Sequence, residues 1–504
     1  MNRQILNSCE LEPLHLSGAI LGHGTLLVID RDGIVSHVGA NIAEWLGAAP
    51  EAWLGKPPPI EWADTLADLG NNAGSRLAVK DFMKAPAGTH KQQLDLVASR
   101  NEQAAVVFEL FTASDEVSTF HSLYPTSLPS LESWVSDAAA IQSTQNELVQ
   151  RIMEITGFQR VMLYSFREDG DGEVIAEARE EAVYGSYLGL RFPASDIPHI
   201  ARLLYLKNPW RLIPDATADL VPLLGCDDSP PDLTYSDLRS VSPVHRVYLA
   251  NMGVRASLSF PIIVGGSLVA LVACHHAEAC HLPLATLNQA RYLTHEYSMG
   301  FSAYQSRQRL LLIDGLVNRF ASVRLLLQRH GDLFSAWPEL GAWLISEFKA
   351  DGAILCLNDE ATSLGATFDA AALASFDDWF CNGQSEIICF CNSLMRQVSE
   401  LPLSEVAGVL AIRIKQRDGN ELRLYLTRME YIHEVVWGGN PEKPFEIHDG
   451  LLGIAPRHSF EKWVEKRLGY SRPWDNESRL LGFKLRELLM TEVSALVNHA
   501  GKLS

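Results

Sequence analysis

Hydrophobic and polar positions along the chain fall into three successive blocks, each mixing the period-2 alternation of strands with the period-3.6 recurrence of helices. In the first block, apolar runs at 25–29 and 34–38 flank Asp32-Gly33, which predicts two strands joined by a tight turn. A further apolar run spans 104–110, and the Ser/Pro-rich stretch 121–130 breaks the pattern, placing a first α+β domain at 1–128. The second block opens with 131–157, free of proline and carrying Leu148, Ile152 and Ile155 at helical spacing, which predicts one long helix. Alternating runs at 161–166 and 173–178 follow. The apolar stretch 258–274 is cut by Pro261 and Gly265-Gly266, so it predicts two buried strands and a hairpin turn rather than a membrane span. A second domain, 129–305, is therefore an antiparallel sheet flanked by helices.

From 284 to 336 the chain lacks proline, and Leu287, Tyr297, Phe301, Tyr304, Leu310, Leu311 and Leu327 trace an apolar stripe. A helix of that length predicts a link between domains and a seam for a parallel homodimer. The third block, 306–504, repeats the α+β logic with strand runs at 353–357, 409–415 and 421–427 and a turn at Asp418-Gly419. An irregular insertion rich in glycine, proline and charge interrupts it at 437–474. Leu481, Leu485, Leu489, Val493 and Leu496 then line one face of a closing helix, capped near Asp475 or Asn476. That helix reads as a connector to a downstream output module. The fold expected is α+β in three consecutive domains, each a central antiparallel sheet with flanking helices, joined by long helices.

Composition narrows the function classes. The 504 residues exceed what a single core organises, and 47% hydrophobic content suffices for several. A net charge of −19, from 42 basic and 61 acidic residues, argues against nucleic-acid and anionic-membrane partners, which require a basic face. The polar N-terminal segment carries no apolar core of a secretory signal, and eight cysteines are scattered without a framework; both predict a cytoplasmic protein with reduced thiols. No phosphate-cradling glycine loop or kinase-like nucleotide site is evident, so this chain is not expected to be an enzyme.

Candidate chemistry concentrates around 191–215. Pro193 and Pro198 bracket Ala194-Ser195-Asp196-Ile197, which predicts Asp196 on a stiff, non-helical turn, and Ile200, Leu203 and Leu204 continue at helical spacing. Such a turn presents a carboxylate and backbone carbonyls to a ligand, or simply caps the helix. Cys274-His275-His276-Ala277-Glu278-Ala279-Cys280-His281 packs metal-ligating types closely, yet adjacent strand residues point to opposite faces and no second ligand pair is evident. A metal-binding sensor thus stays a competing reading, as does a cyclic-nucleotide-binding module.

The hexapeptide Pro193 to Pro198 resembles the PASDIP signature of the phytochrome bilin-binding GAF domain. Four more segments resemble that family's motifs, in order along the chain. These are Cys9-Glu10-Leu11-Glu12-Pro13-Leu14-His15, Ser242-Pro243-Val244-His245-Arg246-Val247-Tyr248-Leu249, Ala273-Cys274-His275-His276, and Pro456-Arg457-His458-Ser459-Phe460. The resemblance, closest to bacterial phytochromes, implies PAS, GAF and PHY domains in turn, with a tongue at about 437–474. It implies a red/far-red photoreceptor that holds biliverdin IXα, a linear tetrapyrrole, attached covalently at Cys9, and switches reversibly. It implies signalling to an output domain and response regulator, most commonly through a histidine kinase. Plant and cyanobacterial relatives use a cysteine directly before the histidine; here Val244 stands there, which favours biliverdin.

The resemblance also implies roles for single residues. Asp196 and His245 would flank the pyrrole nitrogens, and His275 would bond the D-ring carbonyl. Tyr164, Phe192 and Tyr248 would cage that ring. Arg211, Arg239, Ser257 and Ser259 would take the propionates, a task suited to the planar arginine fork. Arg457 and Ser459 would exchange as tongue partners of Asp196. The role implied for His245 suits a residue titrating near neutral pH; read without the family, Cys9 is an ordinary exposed thiol, His245 a hydrogen-bonded structural histidine, the arginines solvated charges and the aromatics plain core. One segment departs from the pattern: where the family reads IQPHG, this chain has Ile20-Leu21-Gly22-His23-Gly24, losing the proline from a region that threads through a loop of the GAF domain.

Overall fold

The computed structural model describes residues 12–86, 93–113, 130–131, 135, 137–183, 185–382, 387–398, 401, 404–415, 420–441, 445–448, 451–454 and 460–500. Of 317, 445–448, 451–454 and 493–500 it describes the backbone. Two compact units result: Met1–Tyr304 with Val436–Trp463, and Gln305–Val435 with Val464–Ser504.

The first unit holds two sheets. Strands β1 (Ala19–Leu21), β2 (Gly24–Ile29), β3 (Val35–Gly39), β4 (Arg76–Lys84), β5 (Gln93–Arg100) and β6 (Val106–Thr112) come from the first block. Beyond them run β7 (Arg160–Phe166), β8 (Gly172–Arg179), β9 (Arg191–Phe192), β10 (Arg211–Ile213), β11 (Leu220–Gly225), β12 (Ala256–Val264) and β13 (Ser267–His276). The first sheet has the order β1-β11-β3-β2-β6-β5-β4, so its second strand is donated by the next block. No sequence pattern marked β11, because its burial alternates only weakly and its partners lie about 180 to 200 residues away. In the second sheet β10-β12-β13-β7-β8-β9 are neighbours. Gly265 and Gly266 both take positive φ, 57° and 79°, as a two-residue hairpin turn between β12 and β13 requires.

Alternation divides this second sheet into two faces. Val161, Leu163, Leu258, Phe260, Val272 and Cys274 enter a core. That core also takes Leu148, Val149 and Ile152 from the helix Ala138–Thr156 and Leu287, Ala290 and Leu293 from the helix Leu284–His330. The first helix starts at Ala138 rather than near 131. Asp137 caps it, its Oδ1 accepting from the backbone N–H of Ala139 and Ala140 at 2.9 Å each, and Leu131 and Val135 join the core without being helical.

In the second unit β14 (Gly352–Leu357), β15 (Glu360–Gly365), β16 (Ile388–Cys391), β17 (Val406–Lys415) and β18 (Glu421–Met429) form a sheet of order β15-β14-β18-β17-β16. The long proline-free helix ends at His330, not Ala336. Gly331 takes φ 77° and Asp332 Oδ1 accepts from Ser335 N–H at 2.9 Å, starting a separate helix Leu333–Glu347 that accommodates Pro338. The closing helix Asn476–Ala500 is capped by Asp475, which accepts from Ser478 N–H at 2.8 Å, and buries Leu481, Leu485 and Leu489.

The insertion is more regular than its composition predicts. It contains β19 (His433–Gly438), β20 (Phe445–His448), β21 (Leu451–Ile454) and β22 (Lys462–Arg467); β20 and β21 pair antiparallel, Phe445 opposite Ile454. β19 extends the second sheet beyond β9, with Trp437 opposite Arg191 in a parallel bridge, and β22 follows it. Gly438 permits that docking: a Cβ there would lie 2.6 Å from the Phe192 ring. No helix among the described residues is long and apolar enough to cross a membrane.

Candidate functional site

The other face of the second sheet is the floor of a cavity of about 240 Å³. Period 2 decides which side chains reach it. Ser257 and Ser259 on β12, Leu271, Ala273 and His275 on β13, and Met162 and Tyr164 on β7 are spaced two apart and all line it. The register aligns them in rows: Arg211 opposite Ser259, Ser259 opposite Ala273, Ala273 opposite Met162; and Ser257 opposite His275 in the neighbouring row. Cys274, one residue from His275, is buried in the opposite core, where desolvation pushes its thiol far up. Among the described residues no group of three His, Cys, Asp or Glu side chains is arranged to hold a metal ion.

The roof comes from the bracketed turn and two helices. Asp196 sits in a single 3-10 turn, Ala194–Asp196, rather than on a wholly non-helical one. Arg202 makes the turn stiff, donating from Nε to Ile197 O at 2.8 Å and from Nη2 to Gly170 O at 2.7 Å and Ala194 O at 3.2 Å. Asp171 Oδ1 accepts from Ala194 N–H at 3.0 Å. The helix His199–Lys207 follows as predicted, but it turns Ala201, Leu204 and Tyr205 to the cavity and leaves Leu203 exposed. From the helix Pro243–Asn251, His245 and Tyr248 line the cavity together, as a spacing of three allows. Their rings lie 6.1 Å apart and 14° from parallel, and the Tyr248 hydroxyl donates to Asp196 Oδ2 at 2.9 Å.

Electrostatically the site is short of anions. Arg239 is buried, and its one hydrogen bond from the side chain among the described residues goes to Thr234 O at 3.2 Å. Arg211 donates to the backbone carbonyls of Asp237 at 3.1 Å, Ser240 at 3.0 Å and Arg239. Neither guanidinium has an ion-pair partner among the described residues. Burial, then the neighbouring Arg211 charge, brings Arg239 down to about 9, and burial lowers Arg211 as well. His275 Nδ1 is buried with no hydrogen-bond partner among the described residues. Burial and then Arg160 hold this histidine at about 3; burial and then Arg211 hold His245 at about 4. Burial thus favours the neutral form of both imidazoles in the protein without a ligand, below the near-neutral range that the role implied for His245 suits.

Of the residues singled out from sequence, Asp196, His245, His275, Tyr164, Phe192, Tyr248, Arg211, Arg239, Ser257 and Ser259 all line this one cavity. Cys9, Arg457 and Ser459 lie outside the described residues. The cavity also takes Met162, Tyr187, Tyr205 and Trp210, which sequence reading passed over. Alternation from Tyr164 finds Met162, and the helical spacing from Ala201 and Leu204 to Asn208 finds Tyr205; Tyr187, on an irregular loop with its ring 5.9 Å from Phe192, had no local signal. The insertion returns here too, Val436 and Phe460 packing on the cluster of Tyr164 and Phe192, with the Phe460 ring edge-on to Tyr248 at 5.1 Å.

Three family models match in order: a PAS fold at 9–111, a GAF domain at 140–295 and a phytochrome region at 325–496. The chain is 33% identical to a bacteriophytochrome of Pseudomonas aeruginosa over 508 residues, covering 99% of this chain and 67% of that one. It is 30% identical to a bacteriophytochrome of Xanthomonas campestris, covering 93% and 76%, and 31% identical to cyanobacterial phytochrome B of Nostoc, covering 96% and 66%. It thus spans about two thirds to three quarters of the length of these relatives. Among solved structures, the Stigmatella aurantiaca phytochrome photosensory core module superposes with a TM-score of 0.80 at 29% identity, covering 97% of this chain and 98% of that one. A bacteriophytochrome of R. palustris superposes at 0.75 and 25% identity, covering 97% and 99%. With its three regions matched in sequence and fold, the chain belongs to the phytochrome family of photoreceptors.

Proposed function

We propose that this chain is the light-sensing core of a bacterial phytochrome, holding biliverdin IXα in the cavity on the second sheet and switching reversibly between red- and far-red-absorbing states. One observation carries the reading: the buried Arg239 and half-buried Arg211, with no ion pair among the described residues, and His275 Nδ1, with no hydrogen-bond partner among them, face a single apolar-walled cavity. That donor set fits an elongated ligand with carboxylates at one end and a carbonyl at the other. When bound, a bilin supplies visible absorption and photoisomerisation.

The chain's own groups then divide the work. Arg211, Arg239, Ser257 and Ser259 hold the propionates. Asp196 and His245 flank the pyrrole nitrogens, the Tyr248 hydroxyl fixing the carboxylate. Neutral His275 offers a hydrogen bond to the far ring, and Tyr164, Phe192 and Tyr248 shape the space around it. Cys9 is the attachment thiol: Glu12 lines the cavity, and three residues of chain reach at most about 10 Å. Arg457 and Ser459 act as alternating tongue partners of Asp196, a role favoured by the packing of Val436 and Phe460 beside the cavity. The exposed Leu310, Leu311 and Leu325 of the long helix favour a parallel homodimer. An output module, most simply a histidine kinase acting on a response regulator, completes the signal in the cytoplasm.

The test is to mix apoprotein with biliverdin and record the visible spectrum before and after red light. A red-absorbing band that photoconverts is expected, and Cys9→Ser should leave the pigment bound yet extractable under denaturing conditions. A spectrum identical to free pigment would refute the reading.

A further inference from the structure

We infer that Glu109, on β6 of the first domain, is a positioning residue for the cavity: it holds the loop 232–240 so that the guanidiniums of Arg239 and Arg211 stay aimed at a ligand's carboxylates. The inference rests on the reading of the cavity as a bilin site. Alternation along β6 sends Phe108 and Leu110 into the core of the first domain and Val107 and Glu109 to the other face, against Leu233 and Leu238. Glu109 is fully buried on that face.

Three donors converge on its carboxylate. Oε1 accepts from Ser236 Oγ at 2.6 Å and Leu238 N–H at 2.8 Å, and Oε2 accepts from Asp237 N–H at 3.1 Å. These are the three residues directly before Arg239, whose own N–H donates to Ser236 Oγ at 3.1 Å. The Asp237 carbonyl accepts from Arg211 Nη1 at 3.1 Å. Both cavity arginines are thus one covalent or hydrogen-bonded step from residues that Glu109 grips. Arg76 on β4 completes the fastening by pairing with the Asp237 carboxylate. Burial, and next the Asp237 charge, push the Glu109 carboxyl up, while the Ser236 hydroxyl, the Leu238 N–H and Arg76 favour its charged form.

A carboxylate suits this place because it accepts on both oxygens. In Glu109→Gln the oxygen can still serve Ser236 and Leu238, but the amide N–H₂ meets Asp237 N–H, donor against donor. The loop then shifts while the hydrophobic face stays filled.

The experiment compares equilibrium binding of biliverdin and of its dimethyl ester, which has no free carboxylates, to the full chain in a Cys9→Ser background. Glu109→Gln should raise the Kd for biliverdin by ~10-fold and leave that for the ester within about twofold. Arg239→Ala serves as the reference and should lose the acid-over-ester preference. Should Glu109→Gln not fold, Ser236→Ala, which removes one of the three donors, should show a smaller shift of the same sign. Equal weakening of both ligands would make Glu109 a structural residue and overturn the inference, as would an unchanged preference in Glu109→Gln beside a lost one in Arg239→Ala. If the unsubstituted protein bound acid and ester alike, the bilin reading of the arginines would fall, and this inference with it.

Discussion

The cavity of the second sheet and the core of the five-stranded sheet differ in what their arginines meet: carboxylates pair two of three in the core, and neither of two in the cavity among the described residues. In the five-stranded sheet Arg423 pairs with Asp377 at 2.7 Å, the Tyr425 hydroxyl donates to the same carboxylate, and Arg413 pairs with Glu421. Arg428 donates to Phe348 O and Pro473 O at 2.6 Å each and to Arg472 O at 3.1 Å, stacked 3.8 Å from Trp474. Aromatic rings of Phe376 and Phe380 close around Tyr425. Two of these three guanidiniums meet a carboxylate, and the third, Arg428, meets three backbone carbonyls and an aromatic ring. In the cavity, Arg239 meets a single carbonyl and no carboxylate among the described residues, and His275 Nδ1 has no hydrogen-bond partner among them. A folded chain tolerates unmet buried polarity where a ligand completes it, and that is the pattern the proposed bilin site requires of the cavity.

The contrast can be broken most forcefully at Asp377. Asp377→Ala leaves the half-buried Arg423 and the buried Tyr425 hydroxyl without their shared carboxylate and should cost ~2–4 kcal/mol of stability in denaturant titration, with biliverdin affinity unchanged. An equal loss of affinity would erase the distinction between the two sheets. Arg239→Ala should do the reverse. Losing charge-assisted bonds of ~1.5–3 kcal/mol raises the Kd for biliverdin by ~10–100-fold, while the apoprotein melts within about 2 °C of the unsubstituted chain. A large fall in melting temperature would show that the arginine was satisfied structurally after all.

Acid should sharpen the difference further. His245 and His275 have folded-state values of about 4 and 3, depressed from the ordinary 6.5 by burial first. Neutral in the folded apoprotein, they gain protons on unfolding, so stability is intact above pH 6.5 and is lost as pH falls towards 4. Each contributes ~1–2 kcal/mol of loss by pH 5, and His275→Gln should flatten the profile of melting temperature against pH by that share. A profile unaltered by the substitution would put the acid sensitivity elsewhere. The smallest effect expected is at Gly438. An alanine Cβ 2.6 Å from Phe192 must push β19 off β9, costing ~1 kcal/mol locally, visible as faster amide exchange at 436–438. Unchanged exchange would mean that the ring gives way instead.

Much of this was legible in the chain. Asp32-Gly33 and Gly265-Gly266 announced their hairpins, and strand alternation separated Cys274 from His275. Where sequence reading erred, a single residue overrode the average: Asp137 set the helix start and Gly331 ended the long one. The insertion read as irregular because glycine, proline and charge depress strand propensity, whereas pairing against β9 supplies what propensity lacks.

Periodicity, turn residues and the five family-like motifs were sufficient to determine three α+β blocks, their order and the candidate residues, since these depend on short-range geometry and on which face of an element is apolar. Only the tertiary structure decided that β11 crosses into the first sheet, that ten scattered residues meet in one cavity, and that Glu109 grips the loop bearing Arg239 from another domain. Those facts depend on pairing and burial between residues that local pattern does not connect. A glutamate in a strand reads as a solvated face until the fold shows which loop covers it.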